Sequence, residues 1–319
     1  MESEPASPIE TLPAPDEKKR SSALMLGYAF AAMGAALFST KAIFVKLAYA
    51  ETIDAETLLA LRMALSFPFY LAIGGFSLFE RFRDQRSLPS FGLVLRSALV
   101  GALGYWFASY TDFIGLVYIS AQFERLILFT YPLFVVLFGA WFFSFPIRRN
   151  TLIAFGVSYI GLALIFTENV GIAGDHVAIG AGFVLLAASS FALYQLLAKG
   201  LVSRVGPRLF TCIAMSGATI AAFVQFLIGH DASAILFGPE LLTYGILIAV
   251  FATVLPSFFL SEALHRISAQ ANGIIGTISP LVTIILAAII LGERLTPLGM
   301  FGTVLVLGGV GWFTVAERR

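Results

Sequence analysis

Charge is scarce in this sequence, and its scarcity argues against a soluble protein. Of the 319 residues, 12% are charged and 59% are hydrophobic, whereas a typical soluble domain has about 25% charged and about 45–50% apolar residues. The mean hydropathy is +0.91. The net charge is only +1, so the sequence lacks the basic surplus with which proteins bind nucleic acids. We therefore expect no nucleic acid among its partners.

Residues that carry enzyme chemistry are also few. The single cysteine, Cys212, lies in an apolar run and has no second cysteine with which to form an internal disulfide, so we expect a small buried hydrophobe. The sequence contains no phosphate-binding P-loop, no His-Glu-x-x-His helix, no Cys/His cluster and no Gly-x-Ser-x-Gly motif. These absences favour a protein that is not an enzyme and holds no metal or cofactor.

Long apolar runs are what the sequence has in abundance. A run of about 20 apolar residues predicts a helix that crosses a bilayer. Ten such runs, here called spans 1 to 10, lie at residues 24–48, 56–78, 93–115, 119–143, 150–167, 178–200, 208–229, 241–264, 268–291 and 298–315. The sequence therefore predicts an all-α polytopic membrane protein. The preceding segment 1–22 is rich in Pro, Ser and Glu and predicts a disordered tail.

The loops alternate in charge between the two ends of the predicted bundle. One end, called the basic face, carries Lys18, Lys19, Arg20, Arg81, Arg83, Arg86, Arg148, Arg149, Arg204, Arg208, Arg266, Arg318 and Arg319. The other end, called the acidic face, carries Glu51, Asp54, residues 168–176 and residues 230–240, with Arg294 as its one clear basic residue. Because cytoplasmic loops carry the Lys/Arg excess, we expect a multi-pass protein of the cell inner (plasma) membrane with both termini cytoplasmic.

An internal repeat is the most specific feature of the sequence. Ile119-Ser120-Ala121-Gln122 recurs 148 positions later as Ile267-Ser268-Ala269-Gln270. The pairs Pro132 and Pro280, and Gly161 and Gly309, have the same separation. This spacing predicts two five-span repeats, at 23–168 and 176–316. Since five is odd, the second repeat enters the membrane from the opposite face, as in transporters whose substrate site lies near mid-membrane between inverted repeats.

Several segments resemble a known family. They are Ala36-Leu37-Phe38-Ser39 with Lys46, Arg62, Tyr118-Ile119-Ser120-Ala121, Ser279-Pro280-Leu281, and Leu291-Gly292-Glu293-Arg294-Leu295. Together they resemble the EamA-type repeats of the drug/metabolite transporter superfamily. The first repeat departs from the pattern, because Phe143-Ser144-Phe145-Pro146 stands where Gly-Glu-Arg would be. The resemblance implies a ten-helix carrier with a central cavity lined by spans 1, 3, 4, 6, 8 and 9.

Charged residues inside the spans are the main functional candidates, because such residues are costly in a bilayer. Five of them converge on one layer in the half nearer the acidic face: Lys41, Arg62, Asp112, Glu124 and Arg125. Their excess of one positive charge favours a zwitterionic or anionic ligand. Two interpretations stay open at this point. The charges neutralise one another to hold the bundle, or at least two of them contact a substrate or a coupling proton.

Helical spacing and the resemblance select the candidate site residues. The substrate-binding candidates are Lys41, Phe38, Tyr105, Trp106, Asp112, Gln122, Arg125, Tyr194, Gln270 and Asn272. The coupling or gating candidates are Glu124, Arg62, Lys199 and Glu262. Glu262 is expected to pair with Lys199 near the basic face or to be exposed there.

The sequence thus predicts a secondary active transporter or exchanger. It would move a small polar metabolite through a central cavity by alternating access, as a monomer or homodimer in the lipid bilayer. No ATPase module is present in the sequence, so an ion gradient, with protons as a candidate, or exchange would drive it. The alternative is an intramembrane lipid-processing enzyme whose polar site is formed by Asp112, Glu124 and Arg125.

Overall fold

In the computed structural model the chain is a bundle of α-helices. The structure describes residues 17–144, 149–174, 176–230, 238–267, 275–276, 278–294 and 296–316. Within these residues, ten helical units correspond to the ten spans: α1 (Glu17–Ser39 and Lys41–Ala50), α2 (Ala55–Arg83), α3 (Phe91–Gly101, Ala102–Phe107 and Ala108–Tyr118), α4 (Ala121–Leu128 and Tyr131–Phe143), α5 (Arg149–Ala173), α6 (His176–Val205), α7 (Pro207–Gly229), α8 (Pro239–Ala249, Val250–Val254 and Leu255–Arg266), α9 (Ile278–Ile290) and α10 (Pro297–Ala316).

The first eight of these units are long and apolar enough to cross a membrane. The apolar parts of α9 and α10, Ile278–Ile290 and Pro297–Trp312, are shorter. The predicted all-helical, ten-span membrane fold is confirmed. Helix α1 begins at Glu17, seven residues before predicted span 1 and inside the segment 1–22 that was predicted as tail, and residues 1–16 of that segment lie outside the described residues.

Wider helical turns occur at matching places in the two repeats. Ala102–Phe107 in α3 and Val250–Val254 in α8 are both π-helical, and their first residues are 148 positions apart. Such insertions interrupt the regular backbone ladder and are frequent at functional sites. The shared irregularity gives the sequence repeat a structural counterpart in α3 and α8.

Helix α4 is broken ahead of a repeated proline. Its first half, α4a, ends at Leu128, and its second half, α4b, begins at Tyr131 with Pro132 in its first turn. Pro280 lies near the start of α9, as its third residue. Proline has no backbone N–H and crowds the preceding turn, which explains the break in α4.

The repeated glycines join α5 to α10. A methyl group at Gly161 would lie 2.6 Å from the carbonyl oxygen of Gly302, and one at Gly309 would lie 2.8 Å from that of Ala154. The two backbones therefore approach each other as closely as small residues allow, which is how helices commonly associate inside a bilayer. This contact places the fifth helix of one repeat against the fifth helix of the other.

Candidate substrate site

The site is built around a break in α1. Thr40 separates the two halves of the helix, and the carbonyl groups just before it accept side-chain hydrogen bonds from the other repeat and from α4. Thr283 Oγ1 of α9 donates to the Ser39 carbonyl oxygen over 3.0 Å, and Arg125 of α4a donates to the Phe38 carbonyl oxygen. Ser39 Oγ donates to the Ser279 carbonyl oxygen over 2.9 Å. Broken helices of this kind form the ligand sites of many carriers.

Lys41 is the first residue after this break, and it lies between two carboxylates. Its ammonium group is hydrogen-bonded to Asp112 Oδ2 of α3, and it lies 3.4 Å from Glu124 Oε1 of α4a. The side chains of Asp112 and Glu124 are buried, at 2% and 0% exposure, and that of Lys41 is 11% exposed. Three of the five predicted charges therefore meet directly, across three helices.

The two guanidinium groups have neutral partners. Arg62 Nε donates to Thr253 Oγ1 over 2.9 Å, and its Nη1 donates to Ser109 Oγ over 3.1 Å. Arg125 Nε donates to Thr283 Oγ1 over 3.1 Å. Both side chains are buried, yet no carboxylate of the described residues lies within 4.0 Å of either guanidinium group. Arg62 is thus held by two hydroxyl groups, and Arg125 by one hydroxyl group and the Phe38 carbonyl group.

Three oxygens of the two carboxylates lack a donor. Among the described residues, Asp112 Oδ1 and both carboxylate oxygens of Glu124 are buried without a hydrogen-bond partner. Glu124 Oε1 is within ion-pair distance of Lys41 Nζ, but the geometry there does not make a hydrogen bond. Since a buried polar atom without a partner costs free energy, these oxygens mark where a proton or a donor group would be stabilised.

Two of the aromatic candidates contact each other between α3 and α6. The Tyr194 hydroxyl group of α6 donates to the Tyr105 hydroxyl group of α3 over 3.2 Å, and the two rings meet edge to face with centroids 5.1 Å apart. The backbone of α3 approaches Tyr194 so closely that a Cβ at Gly104 would collide with its ring. The structure therefore brings the predicted candidates Tyr105 and Tyr194 together.

Other candidates lie elsewhere. Trp106 Nε1 donates to Gln225 Oε1 of α7 over 2.6 Å, so it belongs to a pocket of about 400 Å³ between α2, α3 and α7 rather than to the Lys41 cluster. Lys199 is exposed on α6. Glu262 forms ion pairs with Arg266 and, over 4.0 Å, with Arg208.

The remaining polar candidates are three amides. Gln122 lies in the first turn of α4a and is half-buried, and its side-chain Nε2 has no hydrogen-bond partner among the described residues. Gln270 and Asn272 lie outside the described residues. The structure thus brings together Lys41, Asp112 and Glu124 and pairs Tyr105 with Tyr194.

Sequence reasoning missed three residues that contact the candidates. Ser39 and Thr283 bond the α1 break to α9, and Glu293 caps the start of α4a. Glu293 lies in a segment that carries the family resemblance, so the sequence could have indicated Glu293 as a candidate residue. The sequence could not indicate that Glu293 binds the amides of Ala121 and Gln122, because these residues lie 172 and 171 positions away in the chain.

A helical membrane bundle with two inverted repeats, irregular helices and a buried charged cluster where they meet has the architecture of a membrane carrier. The model of the EamA-like transporter family matches residues 25–167 and again residues 178–315. The chain therefore belongs to the EamA-like transporter family. The two matched segments coincide closely with the repeats predicted from the 148-residue spacing.

Individual relatives agree with this membership. The chain is 28% identical over 312 residues to YcbK, a transporter of Bacillus subtilis, and the match covers 94% of both chains. It is 27% identical over 219 residues to a transporter of Synechocystis, which covers 67% of this chain and 66% of that protein. A solved crystal structure shares the fold with a TM-score of 0.59 at 15% identity, over 94% of this chain and 99% of that one.

Proposed function

We propose that this transporter moves a small zwitterionic or anionic metabolite by alternating access through the cluster around Lys41. One observation carries the choice of substrate class. Arg62 and Arg125 are buried cations whose described partners are neutral, while Lys41 already lies between both acids of the cluster. A carboxylate or phosphate group would supply the missing negative charge, and a guanidinium group binds such groups through paired hydrogen bonds.

The inverted repeats support the transport mode. Segments that recur in opposite orientation can exchange conformations, so that the same site opens first to one face and then to the other. In the proposed orientation the basic face is cytoplasmic and the protein lies in the cell inner membrane. The breaks in α1 and α4 flank the charged cluster, where a change of helix direction would open or close it.

A matched ligand series tests the substrate class. Purified protein would be melted with an amino acid, with the acid that lacks its amino group, and with the amine that lacks its carboxylate. A ligand that binds the folded state at 100 times its dissociation constant stabilises it by about 2.7 kcal/mol. We expect the zwitterion or the acid of at least one side-chain series to raise the melting temperature by a few degrees.

The amine alone should have no effect. Arg125→Gln should abolish the shift, whereas Arg204→Gln, which removes an exposed arginine at the end of α6, should retain it. Stabilisation by the amine and not by the acid would reject the proposed substrate class. A shift that persists in Arg125→Gln would reject the role of Arg125.

Protons are the proposed coupling ion. The donor-free oxygens of Asp112 and Glu124 could share a proton, which would be gained or lost as the cluster opens to either face. Asp112→Asn and Glu124→Gln keep the shape of each side chain and remove its titrating group. On this proposal, at least one of the two variants in proteoliposomes loses accumulation driven by a pH gradient yet keeps counterflow of the substrate. If both variants still accumulate substrate with pH as the only driving force, neither acid couples protons.

A further inference from the structure

Glu293, between α9 and α10, caps a helix of the other repeat. Its Oε1 accepts a hydrogen bond from the Ala121 backbone N–H over 2.7 Å, and its Oε2 accepts one from the Gln122 N–H over 3.1 Å. The first amides of a helix have no partner within the helix. Ser120 Oγ accepts a hydrogen bond from the third amide, Phe123 N, over 3.2 Å. The first three amides of α4a are thus bonded, and two of them donate to Glu293.

A glycine turn brings Glu293 to this position. Gly292 has a φ of +67°, in the left-handed region that glycine occupies without strain. The Glu293 N–H then donates back to the Ala287 carbonyl oxygen of α9 over 3.2 Å. A negative side chain at a helix N-terminus is further stabilised by the helix dipole. Glu293 is therefore well anchored to α9 while its carboxylate is bound to α4a.

The capped segment is short and carries the site. Helix α4a has only eight residues, Ala121–Leu128, and it contains Glu124 and Arg125. One end is held by Glu293, and the other end is the break ahead of Pro132. A segment held in this way can move as a unit about the break once the cap is released.

The cap has no acidic counterpart in the first repeat. The separation of 148 that relates Pro132 to Pro280 places Phe145 at the position that corresponds to Glu293. Phe145 lies outside the described residues, but a phenylalanine cannot accept hydrogen bonds from helix amides. The first repeat therefore has no carboxylate at the position that corresponds to Glu293.

We propose that Glu293 is a positioning residue of the transport cycle: it holds α4a against the second repeat and so keeps the acidic face closed over Lys41, Glu124 and Arg125. Opening that face requires the carboxylate to leave the amides of Ala121 and Gln122. This role rests on the proposed alternating access, but it predicts a change of accessibility that can be measured without any substrate.

A buried cysteine reports the opening. Ala48 of α1 is fully buried in the same apolar cluster as Ala121 of α4a and Ala287 of α9, so Ala48→Cys in a Cys212→Ala background should react slowly with a membrane-impermeant maleimide. With Glu293→Gln we expect labelling from the acidic face to become at least tenfold faster, because one acceptor and the charge are lost. Glu240→Gln, which removes an exposed acid in the first turn of α8, should leave the rate unchanged.

A second variant tests the hydrogen bond while Glu293 stays intact. Ala121→Pro removes one N–H that Glu293 accepts, at the first helical position, where proline is tolerated. We expect faster labelling from the acidic face here too, by a smaller factor, and this variant decides the question if Glu293→Gln does not fold. An unchanged rate in a folded Glu293→Gln or Ala121→Pro protein overturns the proposal. Equal acceleration from both faces also overturns it, since that result indicates general loosening of the bundle.

Discussion

Lys41 Nζ of α1 lies 3.4 Å from Glu124 Oε1 of α4a, although 83 positions separate the two residues. The same ammonium group is hydrogen-bonded to Asp112 of α3, so a single lysine is the ion-pair partner of two buried acids. The sequence left open whether these charges hold the bundle or bind substrate. In this geometry the two interpretations are compatible. Lys41 links three helices, so a ligand that competes for Lys41 would also alter the contacts between those helices.

Removal of Lys41 should destabilise the protein strongly. Breaking a buried ion pair from one side costs about 3–5 kcal/mol, and Lys41→Met would leave the carboxylate of Asp112 without its cation. Adding Asp112→Asn to Lys41→Met should recover part of the lost stability, since the amide carries no charge. Thermal unfolding in detergent measures both effects. A double variant less stable than Lys41→Met would contradict this account of the pair.

The two acids should differ in their contribution to stability. Asp112 is hydrogen-bonded to Lys41, and a hydrogen bond to a charged group contributes about 1.5–3 kcal/mol. The carboxylate of Glu124 accepts no hydrogen bond among the described residues. We therefore expect Asp112→Asn to lower the melting temperature more than Glu124→Gln does. The reverse order, measured under identical detergent conditions, would show that Glu124 is the main partner of Lys41.

Two glycines of α5 should respond differently to a larger side chain. A Cβ at Gly161 meets the backbone of α10, whereas one at Gly156 has nothing within 4 Å. Gly161→Leu should cost about 1–3 kcal/mol or more through overpacking, and Gly156→Leu should be nearly neutral in the same assay. Equal melting temperatures for the two variants would mean that α5 and α10 do not pack through Gly161.

Chemical labelling tests the topology. Cysteines placed at Ser87 and Ser203 on the basic face should react with an impermeant maleimide only from the cytoplasm. A cysteine at Thr52 should react only from outside. Each is introduced into the Cys212→Ala background, so that the native thiol does not contribute. Reaction of the Thr52 and Ser87 cysteines from the same side would refute the arrangement of α2 as a single crossing.

Asp54 should make stability depend on pH at the acidic face. Burial raises the pKa of Asp54, but hydrogen bonds from Thr57 and Glu56 and the nearby His230 outweigh it, so the pKa lies below its ordinary value. Its contribution is therefore complete above the unfolded pKa of about 4 and is lost as the pH falls through the lower folded value.

The cap that Asp54 forms on α2 supplies the physical reason. Asp54 Oδ1 accepts from the amides of Glu56 and Thr57, each over 2.9 Å, and loss of such a cap costs about 0.5–2 kcal/mol. Asp54→Ala should lower the melting temperature at pH 7 and reduce the acid-dependent decline between pH 5 and pH 2. Parallel melting curves for wild type and Asp54→Ala over this range would show that the carboxylate does not stabilise α2.

The broken helices were only partly visible in the sequence. Pro132 marked the break in α4, because proline lacks a backbone N–H and crowds the preceding turn, although Pro68 lies inside the unbroken helix α2. In α8, Pro256 lies just after the π-helical turn. The break at Thr40 and the π-helical turn in α3 have no comparable residue. They depend on how neighbouring helices bond to the backbone, as Thr283 and Arg125 do at the α1 break.

The amino-acid sequence by itself determined the spans, their alternation across the membrane and the 148-residue repeat, because a bilayer requires a long apolar run for each crossing and sorts loops by charge. It also indicated Lys41, Asp112 and Glu124 as functional candidates, because charged side chains are costly inside a membrane. Only the tertiary structure decided which of them touch, and that Glu293 caps α4a. Those contacts depend on the rotation of each helix and on where it breaks, and both are set by packing between residues far apart in the chain.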